Sequence, residues 1–243
     1  MSESQRNKVV VVTRVGSWVG AETAVELLRR DVTVIGIGTN ATRIATLHQA
    51  LQRKLPSTQS ARFIPCVGRL SERTLQDTVV EQIQAQGTLV ALVNNAGAFE
   101  DEDGMIAGTS TFEQWDALQR SLVEPLLLFH RIRHGLRRDK RVVVNVASDD
   151  VHSILPRHVS LIAIKTAVNL ITAEVALVDP QVVSVAVHPA APAVRLPPEE
   201  RTPEESSKPA AADLIVDLAL NADRSATGQY YMYTEPEFLV HKD

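Results

Sequence analysis

The chain has 243 residues, a formal net charge of −4 and a pI near 6.0, so one domain is expected and neither nucleic acid nor a membrane is indicated as a partner. The single cysteine, Cys66, excludes an internal disulfide framework and a cysteine-based zinc site, and we predict no other metal site. The N-terminus is polar and no stretch reaches the length of a membrane span, so we expect a soluble, cytoplasmic protein.

Short apolar runs alternate along the chain with stretches of helical periodicity. We predict strands at about 9–13, 32–37, 62–66, 89–93, 142–146, 182–187 and 229–233. We predict helices at about 20–30, 42–54, 71–86, 112–136, 158–178 and 210–220, and a loop over 189–209. Strands that are apolar on both faces and separated by helices indicate a parallel sheet covered on both sides. The predicted fold is one α/β domain, 1–243, with about seven strands in the order 3-2-1-4-5-6-7.

Ligands of such sheets lie outside the carboxyl ends of the strands. Ser148 follows the predicted fifth strand, and the next helix carries Lys165 back towards the strand's end. Asn94, Asn95, Ala96 and Gly97 follow the fourth strand directly. This spacing resembles the short-chain dehydrogenase/reductase family, which implies a Rossmann-like doubly wound fold. The family has a Tyr-x-x-x-Lys turn thirteen residues after the serine, and here Leu161 stands at the position of that tyrosine, the family's proton donor.

The resemblance also locates the phosphate-binding turn. The family pattern Thr-Gly-x-x-x-Gly-x-Gly falls on 13–20, where Gly16 and Gly20 remain but Arg14 and Trp18 replace the first two pattern glycines. Glycine lets the backbone turn tightly and approach a pyrophosphate with no Cβ in between. We therefore expect the Trp18 indole to occupy the space of the phosphate. Arg14 is either a guanidinium clamp on a phosphate or a solvated side chain.

The family's other cofactor contacts have also changed. Gly38 and Thr39 stand where an acidic or basic residue would contact the ribose, and the positions that contact adenine and the nicotinamide carboxamide carry Val67 and Val194. The family's catalytic asparagine falls on Ser121, or on Leu122 if the register shifts by one. The resemblance thus predicts Arg14, Gly16, Gly20, Asn94, Ala96 and Gly97 as the contacts, vestigial ones, of any cofactor that binds. No cofactor is predicted firmly, and NADP(H) stays open.

Proton transfer in carbonyl reduction requires an acid within about 3 Å of the substrate oxygen. Leucine has no such proton, and the tyrosines 230, 231 and 233 are predicted to lie in the last strand, away from the site. Other titratable groups follow the fifth strand, and the candidate catalytic residues are Ser148, Lys165, Asp149, Asp150 and His152. The alternative for the two aspartates is a solvated rim.

Three hypotheses of function remain. The first is an isomerase- or cyclase-type enzyme of specialised metabolism that has dropped redox chemistry and uses these groups as acid, base or orienting residues. The second is a non-catalytic ligand-binding protein or partner subunit. The third is an atypical NADPH-dependent carbonyl reductase, since the motifs around His188, 202–206 and 227–230 are similar to that branch of the family. All three imply a small-molecule ligand. The apolar faces of helices 112–136 and 158–178 predict a homodimer or homotetramer.

Overall fold

The computed structural model describes residues 7–95, 119–135, 141–146, 159–188, 211–233 and 238–241. In the helix that begins at Val159, the side chains of 159–165 and 178 fall outside this description. None of the helices in these ranges is long and apolar enough to cross a membrane.

One sheet organises the described residues. Its strands are β1 (Lys8–Val12), β2 (Thr33–Gly38), β3 (Phe63–Val67), β4 (Thr88–Asn94), β5 (Arg141–Val146), β6 (Val182–His188), β7 (Tyr230–Tyr233) and β8 (Phe238–His241). Their order is β3-β2-β1-β4-β5-β6-β7-β8, and β1 to β7 pair in parallel. The predicted seven-stranded parallel sheet and its order are confirmed. The eighth strand, antiparallel to β7, was not predicted.

Helices cover both faces of the sheet, as predicted. They are α1 (Trp18–Arg29), α2 (Ala41–Lys54), α3 (Ser57–Ser60), α4 (Arg73–Gln86), α5 (Glu124–Ile132), α6 (Val159–Val178) and α7 (Ala211–Asn221). Helices α1, α2 and α7 share one apolar core with the sheet, whereas α4, α5 and α6 pack against the opposite face. Fully buried valines and isoleucines of β1 and β2 contribute to both cores, because successive strand residues point to opposite faces.

The predicted helix 112–136 is not a continuous α-helix over the part that the structure describes. Residues Gln119–Val123 form a π-helical turn, α5 follows, and Arg133–Gly135 form a 3-10 turn. Pro125 lies in the first turn of α5. A proline ring clashes with the carbonyl group four residues earlier, which is that of Ser121. The wider π turn accommodates this interruption, and such turns are frequent at functional sites.

The outer strand β3 carries Pro65, which is exposed, and Cys66, which is buried. Pro65 pairs in register with Gly36 of β2. Cys66 lies in the core beneath α4, and burial raises the pKa of its thiol. The strand predicted at about 62–66 is therefore confirmed, with Cys66 buried in it.

Candidate active site

The turn between β1 and α1 keeps the backbone shape of a glycine turn although its first pattern glycine is an arginine. Arg14 has φ 49°, in the left-handed region that favours glycine. Its neighbours hold it there, because Val15 N donates to Ile37 O at 2.9 Å and Ser17 N donates to Arg14 O at 3.0 Å. The substitution has therefore changed the side chain of the turn and left its backbone path in place.

The start of α1 is fixed by Ser17 and Gly20. The Ser17 hydroxyl caps the helix by accepting from Gly20 N at 3.2 Å. A Cβ at Gly20 would lie 2.5 Å from Arg14 O and 2.9 Å from Val15 Cα, so the residue must be glycine for the helix to pack on this turn. A Cβ at Gly16 would instead meet Arg43 Cβ at 3.4 Å, which is an ordinary contact. Of these two glycines, only Gly20 is therefore required sterically.

Polar side chains form a network across the carboxyl ends of β1, β4 and β5. We call Thr13, Asn94, Asn95, Asn145 and Thr172 the carboxyl-edge network. Asn95 N donates to Thr13 Oγ1 at 3.0 Å, and Asn94 Nδ2 donates to Asn145 Oδ1 at 3.0 Å. Asn145 Nδ2 in turn donates to Thr172 Oγ1 at 2.9 Å. Buried polar groups that satisfy one another in this way rigidify their surroundings.

The same network reaches the helices on either side of the site. Asn95 Nδ2 donates to Ser17 Oγ at 2.8 Å, which ties the end of β4 to the cap of α1. Thr172 Oγ1 donates to Val168 O at 2.8 Å within α6. The edge of the sheet, the phosphate-type turn and α6 are therefore held as one unit.

The structure tests the predicted site residues only in part. Arg14, Gly16, Gly20 and Asn94 lie together at the carboxyl edge, as described above. Lys165 lies on α6, seven residues before Thr172, so the helix that carries it is anchored by the carboxyl-edge network. The remaining predicted site residues lie outside the described residues; they are Ala96, Gly97, Ser148, Asp149, Asp150 and His152.

Comparison with known proteins identifies the family. A family model described as short chain dehydrogenase matches residues 8–199. The chain belongs to the short-chain dehydrogenase family. Among solved structures it is similar to the KRED1-Pglu enzyme, with a TM-score of 0.73 and 17% identity over 92% of this chain and 100% of that one.

A second similar structure is a short-chain dehydrogenase/reductase from Saccharomyces cerevisiae. Its TM-score is 0.74 and its identity 20%, over 95% of this chain and 97% of that one. At such identities these structures support the fold alone. No curated protein matches the chain.

Dehydrogenases of this family bind a dinucleotide cofactor. The described residues of this chain suit only part of such a cofactor. The turn at Arg14 and the capped start of α1 have the backbone shape that suits a phosphate. At the adenosine end, however, Gly38 offers no side chain, and a Cβ there would meet Ile44 Cδ1 at 3.0 Å. Val67 is 50% exposed where the family has an acidic residue. The described turn therefore has a backbone shape that fits a phosphate group, whereas Gly38 and Val67 carry no polar side chain at the positions aligned with the ribose and adenine contacts.

Sequence reasoning missed one cation beside this turn. Arg43 lies in the first turn of α2, and its Cβ is within 3.4 Å of the place a Gly16 Cβ would occupy. The Asn40 side chain caps α2 by accepting from Arg43 N at 3.0 Å, which fixes the backbone of this arginine. The sequence feature that could have revealed Arg43 is a basic residue in the first turn of the helix that follows β2.

The tyrosines lie in β7, which matches the strand predicted at 229–233, although β8 and not β7 is the outermost strand. Tyr230 packs against the small apolar cluster of Val168 and Ala186, on which Leu122 of the π turn also packs. Tyr230 is in register with Ala186 on β6, so its ring lies on the α6 side of the sheet. Tyr231 packs on the opposite face, in the core of α1 and α7.

Trp18 is half-buried and packs against that same α1 and α7 core. Part of the indole is therefore held by protein contacts at the start of α1. That it also occupies the space of a phosphate stays a prediction.

Proposed function

We propose that this chain is a non-redox enzyme of isomerase or cyclase type that acts on a small molecule, of the kind found in specialised metabolism. The proposal rests on the identity of Leu161, which lies one turn before Lys165 on α6. Leu161 stands where the family has its tyrosine, and a leucine donates no proton. Hydride transfer to a carbonyl therefore lacks its usual acid.

The carboxyl-edge network supports an enzyme over a degraded relative. Asn94, Asn145 and Thr172 still hold the strand ends and α6 in one hydrogen-bonded unit. Preorganised surroundings of this kind are what acid–base chemistry requires of its scaffold. The departures from the family fall at the cofactor contacts, among them Gly38 and Val67, and at the catalytic acid.

The proposed chemistry moves a proton and leaves the composition of the substrate unchanged. Lys165 or one of the acids Asp149 and Asp150 removes a proton from carbon beside a carbonyl group and returns it at another position. Ser148 and His152 orient the substrate oxygen in this scheme. No oxidant or reductant is consumed, which accords with the missing ribose and adenine contacts.

A nucleotide-free turnover assay tests this proposal. Candidate ketones and enols are incubated with the purified protein in deuterated water, and products are followed by mass spectrometry and NMR. The expected product is an isomer of the substrate that gains solvent deuterium. A product two mass units from the substrate, formed with stoichiometric oxidation of NADPH, would contradict the proposal.

NADPH-dependent reduction is the second candidate, and Arg14 and Arg43 favour it. Arg14 belongs to the phosphate-type turn, and Arg43 Cβ lies 3.4 Å from where a Cβ on Gly16 of that turn would be. We expect very weak binding of NAD(H), and any NADP(H) binding should depend on both guanidinium groups. Because charge-assisted hydrogen bonds exceed neutral ones in strength, Arg14→Ala and Arg43→Ala should each weaken NADPH binding about tenfold or more in fluorescence titration.

Arg53→Ala is the matched control, because Arg53 lies in the last turn of α2, away from the glycine turn. It should leave NADPH binding unchanged. NADPH bound at low micromolar affinity that survives Arg14→Ala would show that our interpretation of the turn is wrong.

Self-association through α5 and α6 is a further part of the proposal. Both helices pack on one face of the sheet, and Leu127 and Leu170 are exposed to 46% and 68%. Not every apolar residue of the two predicted helices is available for this contact, because Leu128 and Val168 are buried within the chain. We expect a homodimer or homotetramer in light scattering at micromolar concentration, and Leu127→Glu with Leu170→Glu should dissociate it.

Thr46→Glu with Gln49→Glu is the control for two added charges. Both residues are exposed on α2, which packs on the opposite face of the sheet from α5 and α6. In light scattering, this variant should have the same oligomeric mass as the wild-type protein. A wild-type protein that is monomeric at this concentration would contradict the expected association.

A further inference from the structure

A cavity of about 270 Å³ lies between α4 and α5, on the face of the sheet that these helices cover. Its floor is apolar and its rim carries polar and basic side chains; the lining residues are Val80, Ile83, Gln84, Arg131, Ile132 and His134. A water molecule takes up about 30 Å³ in the liquid, so the cavity has room for about nine non-hydrogen atoms. This volume is just below the usual range of small-molecule sites.

The cavity is remote from the carboxyl edge of the sheet. β4 begins two residues after α4 ends, so the last turn of α4, with Ile83 and Gln84, lies beside the amino ends of the strands. The first turn of α5 lies at the opposite edge, because Glu124 accepts a hydrogen bond from Arg69, which follows β3. Since the cavity is lined by the last turn of α5, it is a separate place from the candidate active site.

The rim of the cavity carries more positive than negative charge. Arg131 Nε and Nη2 donate to Asp77 Oδ1 at 3.2 and 2.5 Å, which fixes the guanidinium group of Arg131 beside the cavity. Arg73 Nε lies 4.0 Å from Asp77 Oδ2, so two guanidinium groups share this one carboxylate. The hydrogen bond from Arg131 holds the pKa of Asp77 below its usual range. Glu81, on the same half of α4, is not among the lining residues.

Three rim side chains can donate hydrogen bonds to a molecule in this space. A guanidinium group has five N–H donors, and Asp77 is the one acceptor of Arg131 among the described residues. The amide of Gln84 and the ring of His134 have no hydrogen-bond partner in the part of the chain that the structure describes. The rim therefore offers several donors and a net positive charge to an acceptor.

The apolar floor distinguishes this cavity from an ordinary basic helix end. Basic residues in the last turn of a helix interact favourably with its dipole, so their charge alone would not indicate a site. Here, however, Ile83 and Ile132 belong to the core beneath α4 and α5, and Val80 packs against it. An apolar body placed on this floor gains from the burial of apolar surface. The cavity therefore combines an apolar base with a cationic rim.

We propose that this cavity binds a small organic acid, whose apolar body rests on the floor and whose carboxylate accepts hydrogen bonds from Arg131. A carboxylate matches the planar fork of a guanidinium group, and Gln84 and His134 supply further donors at the rim. A neutral molecule of the same shape would lose the charge-assisted bond. Inorganic phosphate would leave the apolar floor uncovered. This inference does not depend on the proposed function, which concerns the other edge of the sheet.

The test uses cyclohexylacetate as the probe and cyclohexylacetamide as its neutral counterpart of the same shape. Each is titrated into the full chain, labelled at the isoleucine δ1-methyl groups, and followed by NMR. We expect saturable shifts of the methyl signals of Ile83 and Ile132, with a Kd of about 1 mM or tighter for the acid. The amide should bind about tenfold more weakly. Ile44 and Ile215 lie in the opposite core and should not shift.

Two variants test the rim and the space separately. Arg131→Gln should weaken binding of the acid about tenfold or more, because it removes the charge-assisted bond. Gln84→Trp should abolish binding of both molecules, because an indole at this exposed position would fill the cavity. Arg53→Gln is the matched control, since Arg53 also lies in the last turn of a helix but on α2, and it should leave binding unchanged. All three variants should melt within a few degrees of the wild type, since exposed ion pairs contribute little to stability.

Several results would overturn the inference. They are the absence of a saturable shift at Ile83 and Ile132 in the wild type, equal affinity for the acid and the amide, and binding of the acid that survives Arg131→Gln or Gln84→Trp. Shifts confined to Ile44 and Ile215 would place the acid elsewhere and overturn it too. Each of these results leaves the proposed function in place, whereas a lack of nucleotide-free turnover removes that function and leaves the cavity site.

Discussion

Gly20→Ala is expected to destabilise the fold by about 3 kcal/mol, because the new methyl group would overlap backbone atoms that have no room to move. The nearest atoms are Arg14 O at 2.5 Å and Val15 Cα at 2.9 Å. For a chain of this size, such a loss lowers the melting temperature by about 6–12 °C. Differential scanning calorimetry on the two proteins measures it directly.

Gly16→Ala provides the control within the same turn. A Cβ at Gly16 meets only Arg43 Cβ at an ordinary 3.4 Å, and Gly16 is not among the described glycines with positive φ. We expect a melting temperature close to that of the wild type. If the Gly20→Ala and Gly16→Ala variants had the same melting temperature, the close packing of α1 on the Arg14 turn would be refuted.

Lys165→Met is expected to abolish nucleotide-free turnover while the melting temperature stays within a few degrees of wild type. The methionine keeps an unbranched apolar chain and removes the amine, so it tests the charge and proton of Lys165 rather than its bulk. Loss of a positioned acid or base lowers the rate by about 10² to 10⁴-fold. Initial rates at saturating substrate, with product quantified by NMR, measure this change.

Lys54→Met is the companion variant, because Lys54 is exposed in the last turn of α2. It should retain full turnover. If Lys165→Met were equally harmless, the lysine would serve only to cover apolar surface. A non-catalytic ligand-binding protein would then become the better hypothesis.

The parallel sheet was predictable because its strands are apolar on both faces and short enough to be told from helices. Val9–Val12 and Val142–Val144 are fully or almost fully buried, as their composition predicts. The structural roles of Asn94 and Asn95 could also be predicted, since two amides at the end of a central strand must find hydrogen-bond partners at the sheet's edge.

Other features depend on contacts between distant parts of the chain, which periodicity does not encode. Tyr230 reaches α6 only because β7 pairs with β6 in a register that aligns it with Ala186. Arg43 reaches Gly16 because β2 and β1 are neighbours. The π turn was missed for a different reason. Pro125 indicates an interruption of the helix, but the helical pattern continues on both sides of it, so the sequence alone predicted one continuous helix.

The two outermost strands bear on how the protein behaves at high concentration. An exposed strand edge is a template on which another chain can add a strand, and this is a common route to aggregation. At one edge β3 carries Pro65, which has no N–H to donate to an incoming strand. At the other edge β8 runs antiparallel to β7 and occupies its outer side, over only four residues. The sheet therefore ends on a proline-bearing strand and on a very short one, which opposes chain-to-chain growth through its edges.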